Sequence, residues 1–342
     1  MSRVRAVVHD RYGPVEGLRL DDVAPPEPAP DEVLVRVAAS SVHVDAWHTV
    51  TGLPYALRLM GNGVRTPRQR VPGTDVAGTV EAVGSAVTRF RPGQRVWGET
   101  VRGIQWVNGG AWAELATAPQ DALVPTGDDL DDVRAAALGT PALLALEVLV
   151  DQGRFRAGQS VLVNGAAGAL GGYVVQLAVA LGASRVTGVD AGDRLDLVRA
   201  AGADDVCDYR TEDATRRPVR HDLVVDVAST RPFRDWRRTL TPDGIYVRVG
   251  HDHYGHGMNR VTGSIGPVLA MTAASLVVRQ LPRPTRSTPR AQRLARLAEL
   301  VAAGQVRPVV DRTFPLSDVV PALQRLQQGR AHGRIVLRVE PR

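Results

Sequence analysis

The sequence contains no lysine; all 42 of its lysine-or-arginine positions are arginine. That absence excludes a Schiff-base lysine and the lysine of a triphosphate-binding loop. Arginine also inflates the isoelectric point of about 10.1. The net charge of +6 is dispersed, with only small clusters at Arg65, Arg68, Arg70 and Arg216, Arg217, Arg220. A solvated surface fits that spread better than a nucleic-acid stripe. Cysteine is nearly absent. Cys207 alone excludes an intrachain disulfide and a multi-cysteine zinc site, and it agrees with a reducing cytoplasm. Long apolar runs are scarce too, and the amino-terminal residues lack a signal-peptide core. Residues 261–278 are uncharged between Arg260 and Arg279, but Gly263, Ser264, Gly266 and Pro267 interrupt them. They read as a buried or interface helix starting near Pro267, and not as a membrane span.

What is present divides into two patterns. To about residue 125, short β-branched runs alternate with turn signals: Val4–Val8, Glu32–Val37, Asp75–Gly84 and the turn-to-strand segment Arg91–Trp97. Such spacing predicts a barrel-like β domain. From about residue 130, strands alternate with helical patterns. Val133–Val150 reads as helix, and strands are expected at Ser160–Asn164, Arg185–Asp190, Asp205–Tyr209, Leu223–Val227 and Ile245–Val249. This alternation predicts a doubly wound parallel sheet, and hence an α/β chain. Residues 251–290 depart from it: His251-Asp252-His253 reads as a solvated loop and Pro282–Pro289 as a proline- and arginine-rich loop. Helices follow at Arg290–Ala303 and after Ser317 or Asp318 as cap. Arg334–Val339 is a closing strand able to return to the first domain.

The sharpest chemical signal is Gly165-Ala166-Ala167-Gly168-Ala169-Leu170-Gly171, set between a strand and an apolar helix, Tyr173–Leu181. Glycines allow a tight turn and close approach to a pyrophosphate, and the helix start offers amide N–H groups to that anion. Asp190 ends the next strand, 19 residues after Gly171. A carboxylate there can bind a ribose 2′-hydroxyl and repel a 2′-phosphate, which leans the reading toward NAD(H). Arg194 pulls toward NADP(H), since arginine can clamp a phosphate.

With these motifs the chain resembles the medium-chain dehydrogenase/reductase superfamily, in its zinc-independent, quinone-oxidoreductase-like branch. Tyr12-Gly13-Pro14, Glu32–Val37, Pro72-Gly73-Thr74-Asp75-Val76-Ala77-Gly78, Arg91–Val96, Gly165–Gly171 and Gly333-Arg334-Ile335-Val336-Leu337 carry the resemblance. It implies a GroES-like substrate domain, residues 1–125 completed by 306–342, and a Rossmann domain at 126–305. It also implies nicotinamide in an interdomain cleft and a homodimer. Ala228, Val249, Gly250 and Arg334 join the cofactor-binding expectations. Where zinc-dependent relatives place ligands, this sequence reads His43 or a neighbour and Thr74-Asp75, with no cysteine near Thr140. Three ligands with recognisable spacing are missing, so no metal is expected.

Hydride chemistry belongs to the cofactor; the protein positions the acceptor and supplies a proton. His43, on the segment that lines the substrate cleft in the branch, suits either proton delivery or a structural bond. Asp45 orients His43 or caps the following helix, and Trp47 packs. Tyr55 resembles the proton-donating tyrosine of enoyl reductases, against a plain loop-packing role. The resemblance sets Thr140 beside the nicotinamide. The expected activity is NAD(P)H-dependent reduction of a quinone or an activated C=C of an enone. An acyl-thioester enoyl reductase, using the Arg58–Arg70 loop as a basic channel, is the second reading. A weakly catalytic cofactor-binding protein acting through protein or RNA contacts is the third.

Overall fold

Valines at alternate positions put one face of a strand into a core, and Val33, Val35 and Val37 are buried while Arg36 between them is exposed. The computed structural model describes residues 3–103, 107–250, 259–284 and 286–340. Fourteen strands form among them: β1 (Val4–Val8), β2 (Arg19–Val23), β3 (Glu32–Val42), β4 (Asp75–Val83), β5 (Arg95–Glu99), β6 (Leu115–Pro119), β7 (Leu123–Pro125), β8 (Ser160–Asn164), β9 (Arg185–Asp190), β10 (Asp205–Asp208), β11 (His221–Asp226), β12 (Leu240–Arg248), β13 (Val310–Pro315) and β14 (Arg334–Arg338). They divide between two units. One holds residues 1–140, 254–263 and 308–342, and the other 141–253 and 264–307. The sequence reading set the divide near residue 125. The helix Asp132–Ala136 instead packs on β3, β4 and β5, so it lies with the first unit.

In the first unit a seven-stranded sheet runs β13-β14-β3-β4-β5-β7, with β6 also paired to β3. The closing strand β14 pairs antiparallel with β3, setting Val336 opposite Ser41. β4 pairs antiparallel with β5, setting Asp75 opposite Glu99. Val33, Val35, Val37, Val76, Val80, Trp112, Leu323 and Ile335 share its core.

In the second unit five parallel strands run β10-β9-β8-β11-β12. The chain order is therefore third, second, first, fourth, fifth, and it reverses between β8 and β11. Ligands of open α/β sheets bind at the carboxyl ends of strands at such a reversal. Val161, Val163, Val224 and Val225 are fully buried, as parallel strands covered on both faces must be.

Several expectations are corrected. Val133–Val150 is two helices, Asp132–Ala136 and Gly139–Glu147, followed by a π turn at Val148–Gln152. The apolar helix after the glycine loop starts at Ala169, immediately after Gly168 as its cap position. Asp318 holds the N-cap position of the helix Val319–Gln327, as one of the two expected caps, but its side chain makes no capping bond; its carboxylate accepts from Ser317 on the preceding 3-10 turn. The 261–278 stretch contains a helix at Ile265–Ala274, none of whose residues is buried. No helix among the described residues is long and apolar enough to cross a membrane. His251-Asp252-His253 lie outside the described residues.

Candidate active and cofactor sites

Glycine packing builds the polar centre of the first unit. Gly73 has φ +85°, and a Cβ there would meet the Trp112 ring at 2.2 Å. Trp112 Nε1 donates to the Ser41 carbonyl at 3.1 Å. The turn Pro72-Gly73 is thereby pressed against Trp112, and β4 starts at Asp75 immediately beyond it. Gly139 serves the other side, where a Cβ would lie 2.3 Å from Asp75 Oδ1. Its missing side chain lets Asp75 reach the start of the helix Gly139–Glu147.

Asp75 is fully buried. Its Oδ2 accepts from Arg334 Nη2 at 2.6 Å and from the Ser41 hydroxyl. Its Oδ1 accepts from the Thr140 amide at 2.8 Å and lies 2.6 Å from the Thr140 hydroxyl. That hydroxyl also lies 2.8 Å from Glu99 Oε1. Burial raises the cost of ionising Asp75. The His43 ring when protonated and the Arg334 guanidinium, with bonds from Ser41 and Thr140, outweigh that cost and hold the carboxyl below its ordinary range. Arg334 was expected at a cofactor; the structure pairs it with Asp75, and the guanidinium is itself buried.

His43 sits beside this group, 6% exposed. Its Nδ1 accepts from the Asp45 amide at 3.3 Å and caps the helix Val44–Thr51. The neutral ring therefore carries its proton on Nε2, which donates to the Thr74 hydroxyl at 2.8 Å. Asp45 Oδ2 lies 3.4 Å from Nδ1. The Asp45 amide thus holds the ring, and the cap of this helix is His43 itself. Trp47 is buried in the core, as expected.

These donors do not fit a zinc ion. Both Asp75 oxygens are engaged, a guanidinium occupies the place of a cation, and both His43 nitrogens have partners. Among the described residues no group of three or more histidine, cysteine, aspartate or glutamate side chains is arranged to hold a metal.

Tyr55 joins a different group. It is 42% exposed, its ring lies under Arg58 at 4.7 Å, and its amide donates to the Arg260 carbonyl at 2.9 Å. Arg58 also covers Tyr12 at 4.2 Å and donates to the Gly52 carbonyl at 2.9 Å. Arg70 is paired with Asp10 and Asp21. Two arginines of the supposed basic channel thus have partners within the unit.

In the second unit the glycine loop has the shape of an anion cradle. Gly165 has φ +85°, and a Cβ on Gly171 would lie 2.0 Å from the Gly165 carbonyl oxygen. Only the absence of that carbon lets the helix start so close to the turn. The helix Ala169–Ala180 has no side-chain cap. Its first intrahelical bond runs from Gly172 N to Gly168 O at 2.8 Å. The amides of Ala169, Leu170 and Gly171 precede that bond and are the groups a pyrophosphate would engage. The residues present fit a dinucleotide.

Asp190 ends β9 under this loop. Its oxygens accept from Ala167 N and Ala191 N, each at 2.8 Å. It is 7% exposed. Arg194 lies half-buried on the turn Gly192–Arg194. Across the sheet reversal, Val227 N and Ala228 N donate to Asn164 O, and Val249 N and Gly250 N donate to Asp226 O. Gly165, Ala228, Val249 and Gly250 thereby meet at the carboxyl ends of β8, β11 and β12. Asp226 holds this corner. It accepts from Asn164 Nδ2, Ser229 N and Tyr246 OH, each at 2.7 Å. Burial and the Asp226 charge push the Tyr246 phenol up.

Ser41 and Glu99 escaped the sequence reading. Glu99 had a faint signal, a charged residue closing the apolar strand Val96-Trp97-Gly98. Its partner Asp75 became evident only with the β4–β5 register.

Comparison with known proteins gives the family. Residues 29–128 match the alcohol dehydrogenase GroES-like domain, and residues 201–337 match the zinc-binding dehydrogenase family. The chloroplastic NADPH-dependent alkenal/one oxidoreductase of Arabidopsis thaliana is 31% identical, over 98% of this chain and 80% of that protein. The quinone oxidoreductase of Lama guanicoe is 30% identical, over 98% and 97%. The solved structure of the quinone oxidoreductase from Coxiella burnetii superposes with a TM-score of 0.82 at 24% identity, covering 99% of this chain and all of that one. The chain is an oxidoreductase of the medium-chain dehydrogenase/reductase superfamily and belongs to its quinone-oxidoreductase-like branch.

Proposed function

We propose that this chain reduces a quinone, or the activated C=C of an enone, by hydride transfer from NAD(P)H without a metal. The observation that carries the reading is the match along essentially the whole chain to relatives named quinone and alkenal/one oxidoreductases, joined to a glycine loop shaped for a dinucleotide. When bound, the nicotinamide supplies the hydride. The Gly165–Gly171 amides hold the pyrophosphate, Asp190 keeps the loop in place, and Ala228, Val249 and Gly250 line the strand ends. His43, held by the Asp45 amide, exchanges its bond to the Thr74 hydroxyl for a hydrogen bond from Nε2–H to a carbonyl oxygen of the acceptor. Without a Lewis acid a simple alcohol is a poor substrate, whereas a conjugated acceptor disperses the incoming charge.

The NAD(H) preference is assigned to Asp190, whose carboxylate would meet a 2′-phosphate with like charge. A homodimer is supported by the helix Ile265–Ala274, which exposes Val268 and Leu269, with Leu276 and Val277 exposed beyond it. Large apolar side chains exposed this close together in sequence favour an interaction site. Light scattering of the purified chain tests the dimer; a monomer at micromolar concentration rejects it. For the activity, NADH and NADPH oxidation is followed with naphthoquinone and with alkyl enones. Tight cofactor binding without turnover of any acceptor rejects the reductase reading in favour of a binding protein.

A further inference from the structure

The segment 55–68 has its polarity turned inside out. Asn62 is fully buried, while Tyr55, Leu59, Met60 and Val64 are 42%, 76%, 43% and 61% exposed. Val261, at 59%, joins them, because Ala56 N donates to its carbonyl at 2.9 Å. Elsewhere in the first unit, among the described residues, only Leu20 and Val309 are large, apolar and exposed. Scattered apolar residues on a surface are ordinary, whereas a group of them on one short loop points to an apolar partner. The loop is held in this shape before any partner arrives. Met60 and Gly61 leave the helical conformation, Gly63 N donates to Arg58 O at 3.1 Å, and Arg68 N donates to Asn62 O at 2.8 Å. The Tyr12 hydroxyl lies 2.7 Å from the carbonyl oxygens of both Asn62 and Gly63, and the Arg58 guanidinium lies over the Tyr12 and Tyr55 rings. Docking therefore costs little further ordering.

Charge selects the partner. The sequence has no aspartate or glutamate between Asp45 and Asp75, and none from 259 to 264. Arg65, Arg68 and Arg260 are exposed, and among the described residues no carboxylate pairs with their guanidiniums. Arg70, in contrast, is neutralised by Asp10 and Asp21. Protein interfaces centre on Trp, Tyr and Arg in packed pockets, with Leu and Val under-represented; here the most exposed side chains of the loop are Leu59 and Val64. Open-chain apolar groups bordered by uncompensated arginines match the boundary of a bilayer, where the apolar chains enter the acyl edge and the guanidiniums stay among anionic headgroups. We propose that the segment 55–68, with Val261, seats this protein on the surface of an anionic membrane. No helix among the described residues is long and apolar enough to cross a membrane, and the contact proposed is peripheral. The segment follows the eight-residue helix that His43 caps. Docking thus brings the unit that carries His43 to the surface in which an apolar acceptor dissolves; that consequence rests on the proposed function, and the docking does not.

Co-sedimentation of the full chain with lipid vesicles tests the proposal. Binding is expected to vesicles of phosphatidylglycerol and phosphatidylcholine in equal parts, and little binding to phosphatidylcholine alone. This comparison uses the wild type and needs no variant. Leu59→Ser keeps the charge and should weaken binding about tenfold, the scale of withdrawing one leucine from an apolar phase. Arg65→Gln should weaken it about fivefold, the scale of one basic side chain beside an anionic surface. Arg238→Gln, at an exposed position of the second unit, removes the same charge and should change binding little. Equal losses in the two arginine variants, or no loss in Leu59→Ser, would reveal diffuse attraction of a chain of net charge +6 and overturn the proposal. Absence of sedimentation with the anionic vesicles also overturns it and assigns the patch to a protein partner. Turnover enters none of these readouts, so a failed reductase assay rejects the proposed function and leaves the docking result standing.

Discussion

The polar centre around Asp75 and the glycine loop around Gly165 solve opposite problems with different parts of the chain. The first buries side-chain charge and satisfies it internally, with Arg334, Ser41 and Thr140 all directed at one carboxylate. The second leaves side chains out and presents backbone amides, which is why Gly171 is a glycine, its missing carbon one that would strike backbone at 2.0 Å. A site made of side chains depends on every partner being present. A site made of backbone depends on nothing being added.

The largest expected effect breaks the first of these. Arg334→Met leaves Asp75 buried without its cation and should cost about 3–5 kcal/mol of stability, measured by urea unfolding. Adding Asp75→Asn should recover a large part of it. Equal stability of the single variant and wild type would mean that the pair is not coupled. The second effect adds bulk to the backbone site. Gly171→Val forces the helix start away from Gly165 and should cost about 1–3 kcal/mol. It should also weaken NADH and NADPH binding at least about tenfold by fluorescence titration, since the amides lose their alignment. Unchanged affinity would remove the loop from the cofactor site.

A smaller effect sharpens the contrast, because Asp190 is a buried carboxyl that serves the backbone site. Asp190→Ala should reduce the NAD(H) over NADP(H) preference, with a bond to a charged group contributing about 1.5–3 kcal/mol. Its two bonds to Ala167 and Ala191 predict that affinity for both cofactors falls as well. A selectivity ratio identical to wild type would refute its assigned role. The smallest effect is none at all. Dialysis against a chelator should leave the rate unchanged, whereas loss restored by zinc would show that the Asp75 region is not engaged as described.

The same contrast explains what was legible in the sequence. The backbone site was written out contiguously, because a strand, a tight turn and a helix need glycines at fixed spacing, and Asp190 follows one strand later. Strand positions in the parallel sheet were equally clear from buried β-branched runs such as Val161-Leu162-Val163. The side-chain site joins residues from five separated places: Ser41, Asp75, Glu99, Thr140 and Arg334. Their meeting depends on the pairing of β3 with β14 and of β4 with β5, and no local pattern specifies that register. His43 and Thr140 were singled out through resemblance, with Asp45 beside His43, but the bonds of Thr140 to Asp75 and Glu99 were not. Tyr55 shows the converse. A motif-like position placed it in the chemistry, while its ring lies half-exposed under Arg58.

The most direct test of the account is to follow the hydride itself. NADH and NADPH deuterated at the transferable position should be supplied with an alkyl enone in the presence of chelator. The account predicts one deuterium on the carbon β to the carbonyl of the saturated product, read by mass spectrometry and nuclear magnetic resonance. Cofactor bound tightly with no labelled product from any quinone or enone would contradict it.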